Sequence, residues 1–315
     1  MNDLVLSAIA RMKPPAEMKI ICIDVTNKCD LACSNCTRLL ENQDHHWDMT
    51  PENFRDALRS LKDYPGIIAM IGGNPCMHPN FERLCQIFTE EIPDKSRRGL
   101  WTNNFFKHQD ISKKTFGVFN LNSHGNKRGT LSLAPFKDIS WYHEGNSEHA
   151  PLLTAVKDFY PEAEMWERIS KCDINQNWSA TIIQNNGKLR CYFCEVAASF
   201  DLARGEDHGI PATPGWWKTK IEGFTEQIHQ FCPSCGVPAK FSGPLDCEEI
   251  DMYSETNKTI AEKSLQKKRK IIEIKTIDQL KKSSHHVTDY SKNLQSLRKA
   301  KLKRAKDRLL SILGL

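Results

Sequence analysis

Between residues 18 and 124 short apolar runs alternate with helix-like segments, and this alternation limits the fold more than any other feature of the chain. The run MKIICIDVT (18–26) reads as a strand with Ile21, Ile23 and Val25 on one face and Cys22, Asp24 and Thr26 on the other. Thr50 and Pro51 then supply an N-cap and a first-turn proline for a helix through PENFRDALRSLKD. The run IIAMI (67–71), apolar throughout like a strand covered on both faces, ends in Gly72-Gly73. A helix over 81–91 stops at Pro93, and strands follow over 98–104 (RGLWTNN) and 115–124 (TFGVFNLNSH), the latter with Asn120, Asn122 and His124 on one face. Strands separated by helices predict a parallel α/β sheet, whose ligand site lies at the carboxyl ends of the strands. In a barrel, Asp24 and its face would point inward.

The chemistry-bearing residues fall at those ends. Cys29, Cys33 and Cys36 follow the first strand within CDLACSNC. Three thiolates on one short loop can each bind one iron of a cubane and leave the fourth iron open. A zinc site is the alternative, with His45 or His46 as a further ligand. The start of the chain, MNDLVLSAIARMKPP, has an acidic residue at position 3 and too short an apolar run for a signal peptide. A cytoplasmic, reducing compartment is therefore expected, where clustered cysteines are metal ligands more often than disulfides. No apolar stretch reaches the roughly 18 residues of a membrane span, so no membrane partner is expected. A second cysteine set comprises Cys172, Cys191, Cys194, Cys232 and Cys235, with Cys247 beyond it. Residues 179–191 (SATIIQNNGKLRC) read as a hairpin turning at Asn186-Gly187. Two CxxC pairs could also close a structural zinc shell.

Over about residues 17–240 these motifs resemble the radical S-adenosylmethionine (SAM) superfamily, whose CxxxCxxC signature follows the first strand of a partial (β/α)6 barrel. The resemblance implies a [4Fe-4S] cluster on Cys29, Cys33 and Cys36, with SAM chelating the open iron. A one-electron reductant of flavodoxin or ferredoxin type would then drive its cleavage to a 5′-deoxyadenosyl radical. Gly72-Gly73-Asn74-Pro75 is similar to the family's GGEP motif at the SAM amino group, with Asn74 where Glu is usual. Asn35 likewise stands where an aromatic often precedes the third cysteine. Asn103 (with Asn104), Asn122 and Ser123 match positions contacting the methionine and ribose parts of SAM. The second set resembles a SPASM/twitch extension binding an auxiliary [4Fe-4S] cluster on Cys172, Cys191, Cys232 and Cys235. Cys194 is then a replacement ligand or a nearby thiol, and with Cys76 it is a candidate hydrogen-atom donor. Asp24, Asn120 and His124 are the substrate-binding candidates of the lumen. Cys22 and Cys85 read as inert core thiols.

The expected architecture is an α/β partial barrel (1–165), a small auxiliary-cluster domain (166–250) and a Lys/Arg-rich helical tail (251–315). From Lys258 to Arg308 the chain carries 17 Lys and Arg against 5 Asp and Glu, whereas the remainder is net acidic. Such a run can track a polyanion, which suggests a DNA or RNA partner and a nucleic-acid base or nucleoside as substrate. A solvated helical tail, or one that packs on the enzyme or on an acidic partner, explains the same charge. Three functions stay open: a radical SAM enzyme modifying a nucleic acid, one acting as epimerase or dehydrogenase on a sugar, peptide or other metabolite, and a zinc-binding interaction protein.

Overall fold

The computed structural model describes residues 3–124, the backbone of 141–143, and residues 147–283. The alternation read from the sequence yields a mixed α/β fold around one eight-stranded sheet. Its strands are β1 (Ile20–Asp24), β2 (Ile67–Ile71), β3 (Arg98–Thr102), β4 (Val118–Asn122), β5 (Trp141–His143), β6 (Ser179–Asn185), β7 (Lys188–Tyr192) and β8 (Ile210–Pro211). Their spatial order is β5-β4-β3-β2-β1-β6-β7-β8. Six of them, β5 through β1 and β6, run parallel, and β7 and β8 are antiparallel additions. A sequential barrel would seat the sixth strand beside β5. Here it lies on the opposite side, against β1, with Ile20 beside Ser179 and Ile23 beside Ile182. The hairpin assigned to a second domain thus continues the central sheet, and β1 becomes an inner strand.

Helices cover the face expected from the pattern. Between the strands come α2 (Pro51–Ser60), α3 (Phe81–Glu91) and α4 (Gln109–Thr115), preceded by α1 (Asp3–Ile9). Thr50 caps α2 by accepting from Asn53 N at 3.1 Å. Ile21, Ile23 and Val25 join Phe54, Phe88 and Leu100 in the main core. Ile20, Cys22, Ala69, Trp101 and Val118 form a smaller cluster on the opposite face, so the period-two reading of β1 placed each side chain on its correct side. At the hairpin Asn186 and Gly187 both have positive φ, 48° and 76°, the geometry of a two-residue type I′ turn.

After β4 come α5 (Glu162–Ser170), α6 (Asp173–Asn177), α7 (Glu195–Arg204) and α8 (Thr225–Phe231). Residues 250–283, expected as part of a helical tail, also contain strands. They form a parallel pair, β9 (Ile250–Tyr253) and β10 (Lys270–Glu273), joined by α9 (Lys258–Gln266) and followed by α10 (Ile277–Ser283). Met252, Ile274 and Leu280 give this unit its own small core, and Ile260 and Ala261 of α9 enter the main one. Lys-rich composition hid these few buried residues. Residues 284–315, the last part of the expected basic tail, lie outside the described residues. Among the described residues no helix is long and apolar enough to cross a membrane.

Candidate functional site

The loop after β1 is held at both ends by side chains. Asn27 donates to Gln43 Oε1 (2.9 Å) and to His45 O (2.8 Å) and accepts from Trp47 N (2.9 Å), while Lys28 pairs with Asp48 at 2.5 Å. His45 and His46 themselves are exposed. The middle of the loop is stitched to the C-terminal unit. Ser34 N donates to Asp246 O (2.9 Å), and Ser34 Oγ accepts from Ile250 N (2.9 Å). Asn35 N donates to Asp251 Oδ1 (2.9 Å), and Asn35 Oδ1 accepts from Met252 N (3.1 Å). Asn35 has φ 48°, a left-handed conformation that asparagine tolerates and an aromatic does not readily adopt, which accounts for the residue found there.

Cys29, Cys33 and Cys36 are each partly exposed, and their thiols are close enough to raise one another's pKa. Burial pushes Cys29 up to about 12 and raises Cys33 and Cys36 as well. Thiols kept protonated by burial become ligands when a cation compensates them, so metal binding releases their protons.

The glycine pair meets this loop backbone to backbone. Gly73 N donates to Thr26 O (2.8 Å) and Asn74 N to Lys28 O (2.7 Å). A Cβ on Gly72, whose φ is +149°, would lie 2.2 Å from Thr26 O, and one on Gly73 would lie 2.2 Å from Lys28 O. Only glycine permits that approach. Asn74 is fully buried, and its side chain is spent within the protein. Its Oδ1 accepts from Cys76 N (3.0 Å) and Thr102 Oγ1 (2.9 Å), and its Nδ2 donates to Asn103 Oδ1 and Asn104 O (3.0 Å). Asn103 in turn donates to Asp30 Oδ1 (3.0 Å). Asn74 and Asn103, expected at SAM, thus tie β2 and β3 to the cysteine loop through Asp30, a residue that sequence reading passed over.

Asn122 closes a turn by accepting from His124 N (3.0 Å) and donates to Ser147 Oγ (3.2 Å); Ser123 is buried beside it. His124 Nδ1 lies 2.6 Å from Asp246 Oδ2, which also accepts from Ser147 N (3.0 Å) and Ser147 Oγ (2.7 Å). Burial alone would push the Asp246 carboxyl up; the bonds from His124 and Ser147 outweigh it and hold it below the usual carboxylate range. Asp246 thus holds the His124 ring through Nδ1. The His149 ring lies 5.5 Å from that of His124, tilted by 58°, and burial lowers its pKa.

Asp24 faces the lumen side but is fully engaged. Its Oδ1 lies 2.7 Å from Arg38 Nε and its Oδ2 accepts from Thr181 Oγ1 (2.6 Å). Arg38 also reaches Glu195 (3.1 Å), to which Ser179 Oγ donates (2.5 Å). Burial, against the opposing Arg38, pushes the Asp24 carboxyl up. Asp24, Arg38, Gly72 and Trp47 line a narrow cleft beside the cysteine loop. Arg38→Met would strand two carboxylates around an apolar side chain and is expected to cost about 3–5 kcal/mol. Denaturant titration reads this directly, and an unchanged midpoint would contradict the ion triad.

The second set converges on an apolar cavity between α6, α7 and α8. Cys172, Cys194, Cys232 and Cys235 line it together with Met12 and Phe200. Burial raises the pKa of all four, and neighbouring thiols of the group raise those of Cys194, Cys232 and Cys235 further. Cys191, expected among the ligands, is not on this wall. It sits in β7 opposite Ile182, fully buried. Cys194, expected as a replacement ligand or hydrogen-atom donor, begins α7 and takes that place. Strand alternation explains the exchange: only the tertiary path of β7 into α7 decides which cysteine of the CxxC turns toward Cys232. Among the described residues no three cysteine sulfurs lie within 4.8 Å of one another; Asp201, Glu206 and His208 are the group gathered that closely. Those three are occupied by each other, Tyr192 and Gln230.

No family model matches the chain, and no curated protein matches it. Among solved structures it is similar to BtrN in complex with AdoMet and 2-DOIA, with 14% identity, a TM-score of 0.44, and coverage of 71% of this chain and 89% of that one. It is also similar to selenomethionine BtrN in an open conformation, with 16% identity, a TM-score of 0.38, and coverage of 70% and 87%.

Proposed function

We propose that this chain is a radical SAM enzyme. The observation that carries the reading is the junction at the end of β1, where three neighbouring thiols on one loop adjoin a glycine pair whose packing excludes any side chain. Cys29, Cys33 and Cys36 would hold a [4Fe-4S] cluster, and the Gly72-Gly73 strand end would lie at SAM. When bound, the cluster and SAM together supply one-electron cleavage of SAM and abstraction of a substrate hydrogen atom. The protein keeps the cysteine loop rigid through Asn27, Asn35 and Asn74, and it holds the His124 imidazole with Nε2 available to a substrate or SAM hydroxyl. Cys172, Cys194, Cys232 and Cys235 would hold an auxiliary [4Fe-4S] cluster in the second cavity. Its electrons would be exchanged with the substrate radical or with a flavodoxin- or ferredoxin-type reductant.

Substrate assignment follows the charge. Residues 250–283 fold on the core with Lys258, Lys267, Lys268 and Lys270 exposed, so a DNA or RNA base draws on this unit as well as on the sequence of 284–315, and a small metabolite is the second reading. Anaerobically purified protein should contain iron and sulfide and release 5′-deoxyadenosine from SAM on reduction. Colourless protein holding zinc without sulfide would sink the proposal. Deuterium transfer from candidate substrates into 5′-deoxyadenosine then identifies the molecule that loses hydrogen. Cys194→Ala should remove the iron of the second set, whereas Cys191→Ala should retain it and cost about 1–2 kcal/mol of stability through a small cavity. Iron analysis of the two variants side by side tests the ligand set.

A further inference from the structure

Arg269 precedes β10, in the segment whose composition reads as a basic tail, yet its side chain is 97% buried beside the cysteine loop. Its Nη2 donates to Cys33 O (3.0 Å) and to Asp251 Oδ1 (3.0 Å). Its Nε and Nη1 are buried with no hydrogen-bond partner. An unpartnered buried donor costs about 1–3 kcal/mol, and a charged one more, so a guanidinium held this way calls for an acceptor. The site supplies one. Arg269 acts electrostatically on both the Cys33 and Cys36 thiols.

The geometry is held from three sides. Asp251 accepts from Asn35 N and Arg269 through Oδ1 and from Ser264 Oγ (3.1 Å) through Oδ2. Ser264 on α9 accepts from Asn42 (2.7 Å), just past the loop. β9, α9 and the cysteine loop therefore fix the Arg269 head group as one unit.

Resting on the radical SAM reading, we infer that Arg269 is a positioning residue of the triad site, whose free N–H groups donate to the sulfur atoms of the cluster held by Cys29, Cys33 and Cys36. The C-terminal unit then belongs to the active site, since it brings the cation that offsets the thiolates. Because reduction adds negative charge beside this cation, Arg269 favours the reduced cluster.

The test is anaerobic redox titration of the full chain, following the cluster whose electron paramagnetic resonance signal changes on adding SAM. Arg269→Gln should shift its reduction equilibrium about tenfold toward the oxidised state, a midpoint about 59 mV lower for one electron. Arg269→Lys, which keeps the charge, should recover part of that shift. The double variant Arg269→Gln, Asp251→Asn removes the paired carboxylate as well, and carries the measurement if the single variant does not fold. A double variant of wild-type iron content whose midpoint equals that of Asp251→Asn alone would overturn the inference, because that comparison isolates the loss of the cation. A wild-type protein with no SAM-responsive cluster would instead overturn the radical SAM reading itself.

Discussion

Alanine at any one of Cys29, Cys33 and Cys36 is expected to remove about four iron and four sulfide per chain, while the iron of the second set stays. Each thiolate holds a separate iron, so two remaining ligands leave the cubane open at two corners. The three thiols also share one loop, so the loss of one is felt by the whole set. The reciprocal variant Cys232→Ala should lose the other iron and keep the first. Iron and sulfide counts on both variants, with the SAM-dependent signal as a second readout, check the assignment. Equal iron loss in both would mean a single shared site and would contradict two clusters.

A second large effect is expected from Gly73→Ala. The added methyl would stand 2.2 Å from Lys28 O and 2.6 Å from Lys28 C, both backbone atoms of the cysteine loop. Side-chain rotation cannot relieve a clash between two main chains, so β2 or the loop must move. Displacement breaks the bonds Gly73 N to Thr26 O and Asn74 N to Lys28 O, and overpacking adds to their loss. A destabilisation of about 3 kcal/mol or more follows, together with weakened iron retention. Gly187→Ala provides the comparison, because its Cβ would meet nothing within 4 Å and only its positive φ is strained. Denaturation midpoints and iron content should separate the two. If Gly73→Ala matched Gly187→Ala in both, the glycine pair would have no special tie to the cysteine loop.

Much of the scaffold was legible because it depends on local rules. The period-two pattern of β1 separated Ile21, Ile23 and Val25 from Cys22, and the structure buries them in different clusters. Thr50-Pro51 opened α2, and Asn186-Gly187 turned the hairpin, because capping and left-handed turns are set by the residues themselves. The cysteine loop was legible for the same reason, since its three thiols lie within eight residues.

Tertiary structure decided what no local pattern encodes. β6 pairs with β1 across about 160 residues, so the expected second domain continues the first sheet. Cys194 rather than Cys191 joins Cys172, Cys232 and Cys235, because which residue of a CxxC turns inward depends on where the chain leaves the strand. Asn74 and Asn103 are consumed in bonds to neighbouring strand ends instead of facing outward. Arg269, one cation among many in a basic segment, is singled out only by its burial against Cys33. By itself the sequence determined the parallel α/β sheet and named the candidate residues at its strand ends. Long-range packing decided which of them converge, because burial and hydrogen bonding between distant segments depend on positions that the chain takes only when it has folded.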